Sequence, residues 1–254
     1  MPDAIDLVAL QKIPVTTGIL PVGGVFRASL VEAKRLIASG KAVKRAEANA
    51  AAWDGLRWAG VQVAILASGP SMSDKQATAV HAWRACNSTQ RKVIAINTTF
   101  RRAPWADVLY ACDWQWWDAY HQEAKEIFKG EFWTQAEQSK KKYDIKIIRS
   151  RRGKGLSKIP GVIHQGENSG YQAIGLAQQL GAKQIFLLGF DMQGCHWHGP
   201  HPGKLNRKNI YSSWLEHFKH LAADCKAAGV EVVNCTPTTA LRSFPTKGWA
   251  EVFK

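Results

Sequence analysis

The residues best suited to chemistry lie in "CHWHGPHPGKLNRK", where His196, His198 and His201 fall within six residues. Imidazole titrates nearer neutral pH than any other side chain, so it can take and return a proton there. His198 and His201 are the candidate general bases of this loop; the competing reading is that they are ordinary surface histidines. The spacing also suits a metal, but no carboxylate or second cluster accompanies it, and no metal is expected. Asp191 closes "QIFLLGFD", where a carboxylate at the end of an apolar run is costly unless it binds something or caps the next loop. Gly69, Pro70 and Ser71 follow the apolar run "VAIL". There the glycine lets backbone approach a ligand, the proline stiffens the corner, and the serine can cap the next helix or bind a phosphate. Asn97, Asp113, Asn168, Ser169 and Gly170 complete the candidate set, each beside an apolar run or at a helix start.

The elements that must position these groups alternate along the chain. Strand readings fall on 61–67, 92–100, 107–113, "YDIKIIRS", "QIFLLGFD" and "VEVVNCT". Helix readings fall on 73–87, "WQWWDAYHQEAKEIFKG", "NSGYQAIGLAQQLGAK" and "YSSWLEHFKHLAADCKAAG". Either Asn168 or Ser169 caps the third of these helices. Apolar strands alternating with helices predict an α/β fold, a doubly wound and mostly parallel sheet of Rossmann-like type. Ligands of such sheets bind beyond the carboxyl ends of the strands, where the small polar groups recur. Neither GxGxxG nor GxxxxGK[ST] is present, so dinucleotide binding and P-loop hydrolysis are disfavoured. Residues 1–45 read as a separate small β-rich module with one helix, N-capped by Ser29 and stopped at Gly40, and with turns at Thr17-Gly18 and Gly23-Gly24. An Ala-rich, helix-favouring stretch from Arg45 to Gly60 opens the main domain, 46–254.

The chain of 254 residues carries a net charge of +14. From Lys140 to Lys158 there are nine Lys/Arg and one Asp, a local excess of eight positive charges. Such a run is a solvated face or loop, or a polyanion-binding surface for a nucleic acid. Eleven tryptophans accompany it; beside positive charge they stack bases or sugars, and elsewhere they are core. No apolar run reaches eighteen residues, so no membrane span is expected. The N-terminus has no basic segment before its apolar stretch, so no signal peptide is expected either. Five cysteines without paired spacing suit free thiols in a reducing cytoplasm.

Taken in order, a strand–Gly-Pro-Ser–helix corner, Asn97 after the second strand, Ser169-Gly170 opening a helix, "LGAKQIFLLGFD", a loop with His and Lys, and a last strand followed by Cys235-Thr236-Pro237 resemble the family 42 type of bacterial sialyltransferases. They also resemble a wider group that includes hydroxymethylpterin pyrophosphokinase-like proteins and flagellin glycosylation factors. The resemblance covers roughly 61–240. Separately, Gly24-Val25-Phe26 followed by Ala33, Leu36, Ile37, Gly40 and Ala42 resembles a small N-terminal module of bacteriophage proteins. The main resemblance implies that Gly69, Pro70 and Ser71 line a nucleotide phosphate, that Asn97 and Asp113 contact the donor, and that Ser169 and Gly170 hold the nucleotide or the transferred group; Asn168 joins them because exposed N–H groups at that helix start favour an anion. It implies that His198 or His201 is the base and that Asp191 lies under the site. The sialyltransferases carry tyrosines here that assist the leaving phosphate, where this chain has His196 and Trp197, with Tyr211 later; the donor sugar is therefore open. Lys204, Arg207 or Lys208 can assist the leaving group instead.

The function this implies is metal-independent transfer from a nucleotide sugar, with no resident cofactor, to a glycan, a protein or a modified base of phage DNA. Two other readings stay open. One is pyrophosphoryl or nucleotidyl transfer on the same scaffold; the other is a non-catalytic phage accessory protein that binds nucleic acid.

Overall fold

The computed structural model describes residues 4–9, 11–15, 18–21, 25–44, 56–205 and 210–254. The Gly23-Gly24 turn, Thr17, Gly24 of the phage-like corner, most of the Ala-rich stretch after Arg45, and Arg207 and Lys208 lie outside the described residues. The chain divides into two compact units, Met1–Gly55 with Ser157–Val162, and Leu56–Leu156 with Ile163–Lys254.

The first unit contains β1 (Ala4–Ala9), β2 (Ile13–Val15), β3 (Gly18–Leu20), β4 (Val25–Ser29), α1 (Leu30–Ala38) and β5 (Ala42–Lys44). β1 pairs antiparallel with both β4 and β5, and β2 with β3 forms a separate hairpin. Ser29 caps α1, accepting the Glu32 N–H at 3.3 Å. Ala33 and Leu36, three residues apart on one helix face, pack with Leu7, Ala9, Ile13, Ala28 and Ala42 into a small core.

The second unit is built on seven parallel strands. In chain order it runs β6 (Gln62–Leu66), α2 (Asp74–Cys86), β7 (Arg91–Ile96), β8 (Val108–Tyr110), α3 (Trp114–Ile127), β9 (Glu131–Thr134), α4 (Glu137–Tyr143), β10 (Lys146–Ile147), β11 (Arg149–Arg151), β12 (Val162–His164), α5 (Ser169–Gln179), β13 (Gln184–Leu188), α6 (Tyr211–Ala227), β14 (Glu231–Asn234) and α7 (Trp249–Val252). The sheet order is β10-β9-β8-β7-β6-β13-β14, so the chain winds one way from β6 to β10, then crosses to β13 and winds the other way. The α/β doubly wound expectation therefore holds. β6, β7 and β13 lie in the middle, and their last four residues are all buried. That is why they read as continuous apolar runs rather than alternating ones.

The two faces follow from the period of two along each strand. Ala64, Leu66, Val93, Ala95, Leu109, Phe186 and Leu188 point to one face, where they meet Val80 and Trp83 of α2, Trp116, Trp117 and Tyr120 of α3, and Phe253. Tyr110 points to the other face, where its hydroxyl donates to Gln172 of α5. Three local readings change. β9 was not anticipated, because Glu131–Thr134 is only four residues long with a charged first residue. Residues 97–100, read as the end of a strand, instead belong to a 3₁₀ helix, Asn97–Arg101. "YDIKIIRS" is two short strands, β10 and β11, in different sheets. Among the described residues, no helix is long and apolar enough to cross a membrane.

Candidate functional site

The winding direction reverses between β6 and β13, so the crevice beyond their carboxyl ends is the expected ligand position in a doubly wound sheet. The corner after β6 and the turn after β13 meet there. The Gly69 N–H donates to the Gly189 carbonyl at 2.9 Å. A Cβ on Gly69 would collide with Asp191 Oδ2 and that carbonyl, so only glycine fits. Gly189 sits at φ 72°, and a Cβ there would strike the Ala67 carbonyl.

Asp191 closes this corner. Its carboxylate accepts the Ser71 N–H at 3.2 Å and the Ser71 hydroxyl at 2.9 Å. The helix after the corner is capped by Ser73, not Ser71: Ser73 Oγ accepts the Gln76 N–H at 3.3 Å, and Gln76 Oε1 accepts the Ser73 N–H at 2.9 Å. Asp191 is buried, and burial raises its pKa, while the bonds from Ser71 oppose the rise. A carboxylate already holding both Ser71 donors disfavours a phosphate at that spot.

Ser68 links the corner to the end of β7. Its hydroxyl lies 3.3 Å from the Ile96 carbonyl and 3.0 Å from Thr99 Oγ1. Its own carbonyl accepts the Trp197 N–H at 3.1 Å, which draws the histidine loop across the crevice. The Trp197 ring lies under the Arg102 guanidinium at 3.8 Å, and its indole N–H points to Thr99 Oγ1 at 3.5 Å. Trp197, one of the positions that departs from the sialyltransferase pattern, is thus the anchor of the loop.

Around that anchor the three imidazoles form a triangle. Ring centroids are 5.1 Å apart for His196–His198, 4.9 Å for His196–His201 and 4.8 Å for His198–His201. Tyr120 of α3 approaches His201, with 3.4 Å between its hydroxyl and Nδ1. Burial, the neighbouring imidazoles and Arg101 push His198 down to about 4. Burial, His196 and Arg101 do the same to His201, also to about 4. His196 is lowered by burial, against a hydrogen bond to the Ser68 backbone. All three rings are therefore neutral at pH 7, and His198 Nε2 is buried without a partner among the described residues. No group of three or more His, Cys, Asp or Glu among the described residues is arranged to hold a metal ion.

A second cluster joins the ends of β7 and β8 to the start of α5. Asn168 caps α5, accepting the Tyr171 N–H at 3.1 Å. The Ser169 hydroxyl is shared between Asn97 Oδ1 at 3.4 Å and Cys112 Sγ at 3.0 Å, and it accepts the Cys112 N–H at 3.3 Å. Gly170 is buried against Phe190, and a Cβ there would crowd that ring. Asn97 has φ 49°, Glu167 φ 55° and Met192 φ 51°, so three of the four non-glycine residues with positive φ among the described residues flank this edge of the sheet. Left-handed backbone at such residues costs about 1 kcal/mol or more, and it concentrates where geometry serves a site. Burial pushes the Cys112 thiol well up, so it is not a nucleophile at neutral pH.

The sequence-predicted residues thus fall into two groups. Gly69, Ser71 and Asp191 sit together at the switch point, with His196, His198 and His201 crossing above Ser68. Asn97, Asn168, Ser169 and Gly170 sit together beside Cys112. Asp113 is exposed, precedes α3 and makes no capping bond with its side chain. Tyr120 and Arg101 escaped the sequence reading, because only the fold carries them to the histidine loop. No protein-family model matches the chain, and no curated protein matches it.

Proposed function

We propose that this edge of the sheet binds a nucleotide-activated sugar and transfers the sugar to an acceptor hydroxyl, with His198 or His201 as the base. The single observation that carries the reading is the pair of neutral imidazoles held beside a tyrosine hydroxyl and an arginine at the switch point. Acceptor deprotonation needs a neutral base, and a departing phosphate needs donors. Tyr120 and Arg101 supply those donors; the Lys204 side chain, Arg207 and Lys208 lie outside the described residues. Arg101 also pairs with Glu123 at 2.6 Å, which fixes its position. A phosphate entering beside the rings raises their pKa, opposite to Arg101, so the base strengthens once the donor is bound. Because Asp191 occupies Ser71, the phosphate is read as lying beside the histidine loop against Tyr120 and Arg101, and the Asn97–Ser169 side, where the Asn97 amide N–H groups have no protein partner among the described residues, takes the rest of the donor.

The acceptor is a glycan, a protein or a base in DNA, and the proposed setting is a reducing cytoplasm, in keeping with five free cysteines. Thermal-shift screening of CMP-, UDP- and GDP-sugars against ATP tests the reading. A ligand present at 100 times its Kd stabilises the native state by about 2.7 kcal/mol, several degrees in Tm for a chain of this size. A shift by nucleotide sugars supports transfer. A shift by ATP alone points to pyrophosphoryl transfer, and no shift points to a non-catalytic protein.

A further inference from the structure

Beyond β8 and β9 the second unit opens a cleft of about 450 Å³, which Cys112 and Asp113 help to line. Four glutamines line it, Gln115, Gln135, Gln138 and Gln165, with Ser150 among them. The arrangement is tied together. The Ser150 hydroxyl donates to Gln135 Oε1, Gln165 Nε2 donates to Ser150 Oγ at 3.2 Å, and Gln135 Nε2 donates to the Cys112 carbonyl at 3.3 Å. These bonds leave Gln165 Oε1 and one Gln135 N–H without a protein partner among the described residues. The charged residues in the lining are both carboxylates, Asp113 and Glu137; no Lys or Arg lines the cleft. Trp114, the first residue of α3, stands in the lining with 42% of its surface exposed.

The positive charge lies just outside. α4 contributes Glu137 and Gln138 to the lining, and Lys140 and Lys141 follow three and four residues after Glu137, on the same side of the helix. β11 contributes Ser150; the Arg151 carbonyl accepts the Gln165 N–H at 3.1 Å, and Arg152, two residues after Ser150, returns to the same side of the strand. Lys140, Lys141, Arg151 and Arg152 are exposed and make no ion pair among the described residues. Other cations of the basic run are committed, Lys142 to Asp118 at 2.9 Å and Lys146 to Glu131 at 2.6 Å.

An amide-rich interior with two carboxylates and an exposed indole, inside a cationic rim, matches the chemistry of a polynucleotide, whose base edges donate and accept hydrogen bonds and whose phosphates are anionic. Amides and carboxylates read base edges, an indole face stacks on any base, and lysine and arginine hold the phosphates outside. We propose that this cleft binds single-stranded nucleic acid, with a base on Trp114 between the glutamines and phosphates on Lys140, Lys141 and Arg152. A duplex keeps its bases stacked and cannot place one in the cleft. The inference does not rest on sugar transfer at the histidine site.

Fluorescence anisotropy with labelled fifteen-nucleotide dT and rU oligomers and a fifteen-base-pair duplex, from 50 to 200 mM NaCl, tests it. The single strands bind at least ten-fold tighter than the duplex, and three phosphate contacts give a log–log salt slope of about −2. Trp114→Ala weakens binding about ten-fold with the slope unchanged, and Trp114→Phe restores it. Lys141→Glu/Arg152→Glu weakens binding and flattens the slope. Circular dichroism checks folding, and Gln138→Ala, at an exposed position, carries the test if Trp114→Ala does not fold. The proposal is overturned if Trp114→Ala, or Gln138→Ala in its place, binds like the parent, if the duplex binds as well as the strands, or if heparin competes as well as the unlabelled oligomer. The comparison of dT with rU separates DNA from RNA as the source of the strand.

Discussion

Asp191 shows how one side chain can be legible in sequence while its role is not. Its position after β13 marked it as a costly carboxylate that needed partners. The partner proved to be Ser71, 120 residues away, and no local pattern encodes that pairing. Asp191→Asn keeps an oxygen for the Ser71 N–H and removes a buried charge, so its stability stays within about 1 kcal/mol of the parent. Asp191→Ala strands the Ser71 donors and costs about 1–3 kcal/mol. Urea melts of the two variants check this, and equal losses would mean that the hydrogen bonds are not what Asp191 supplies. The histidines make a prediction of opposite chemical type. Their folded-state pKa values lie below the ordinary 6.5, near 4 for His198 and His201, so the unfolded chain binds more protons between these limits. Stability is complete above pH 6.5 and falls as pH drops towards 4. His198→Gln/His201→Gln reduces this slope between pH 6.5 and 5 in denaturant melts, leaving the His196 share; an unchanged slope would place the proton uptake elsewhere.

Among the elements, the strands that carry the site were the easiest to see. β6, β7 and β13 are buried on both faces, so apolar content alone marked them. β9 was missed for the reason that makes it distinctive, since its first residue is an ion-pair hub. Glu131 holds Arg57 and Lys146, and although burial works against it, hydrogen bonds from these two and from Trp133 bring its pKa down to about 2. The folded pKa is depressed, so its contribution is present above about pH 4.5 and is lost as pH falls towards 2. The shift corresponds to about 3 kcal/mol, and screening of this partly exposed group reduces it to roughly 1.5. Glu131→Gln lowers stability by that amount at pH 6 and by much less at pH 3; an equal loss at both would contradict the ion-pair account. The glutamines of the cleft were also missed. Glutamine at a helix start or loop reads as surface filler, and only the fold brings four of them to one opening.

For the whole molecule, winding order explains why so few positions matter. Reversal between β6 and β13 leaves one crevice, and every loop that follows a central strand ends beside it. The Gly-Pro-Ser corner, Asn97, Ser169-Gly170 and Asp191 were legible because strand ends are visible in a sequence. The triangle of histidines against Tyr120 was not, because it depends on Trp197 crossing from β13 to the end of β7. The central claim is that these neutral imidazoles serve sugar transfer. Nucleotide release from CMP-, UDP- and GDP-sugars, compared between the parent and His198→Gln/His201→Gln, tests it most directly. The account predicts release from at least one nucleotide sugar and a fall of about 10²–10⁴-fold in the double variant, with binding of that sugar retained. No release from any nucleotide sugar, or release at the parental rate without the two histidines, would contradict it.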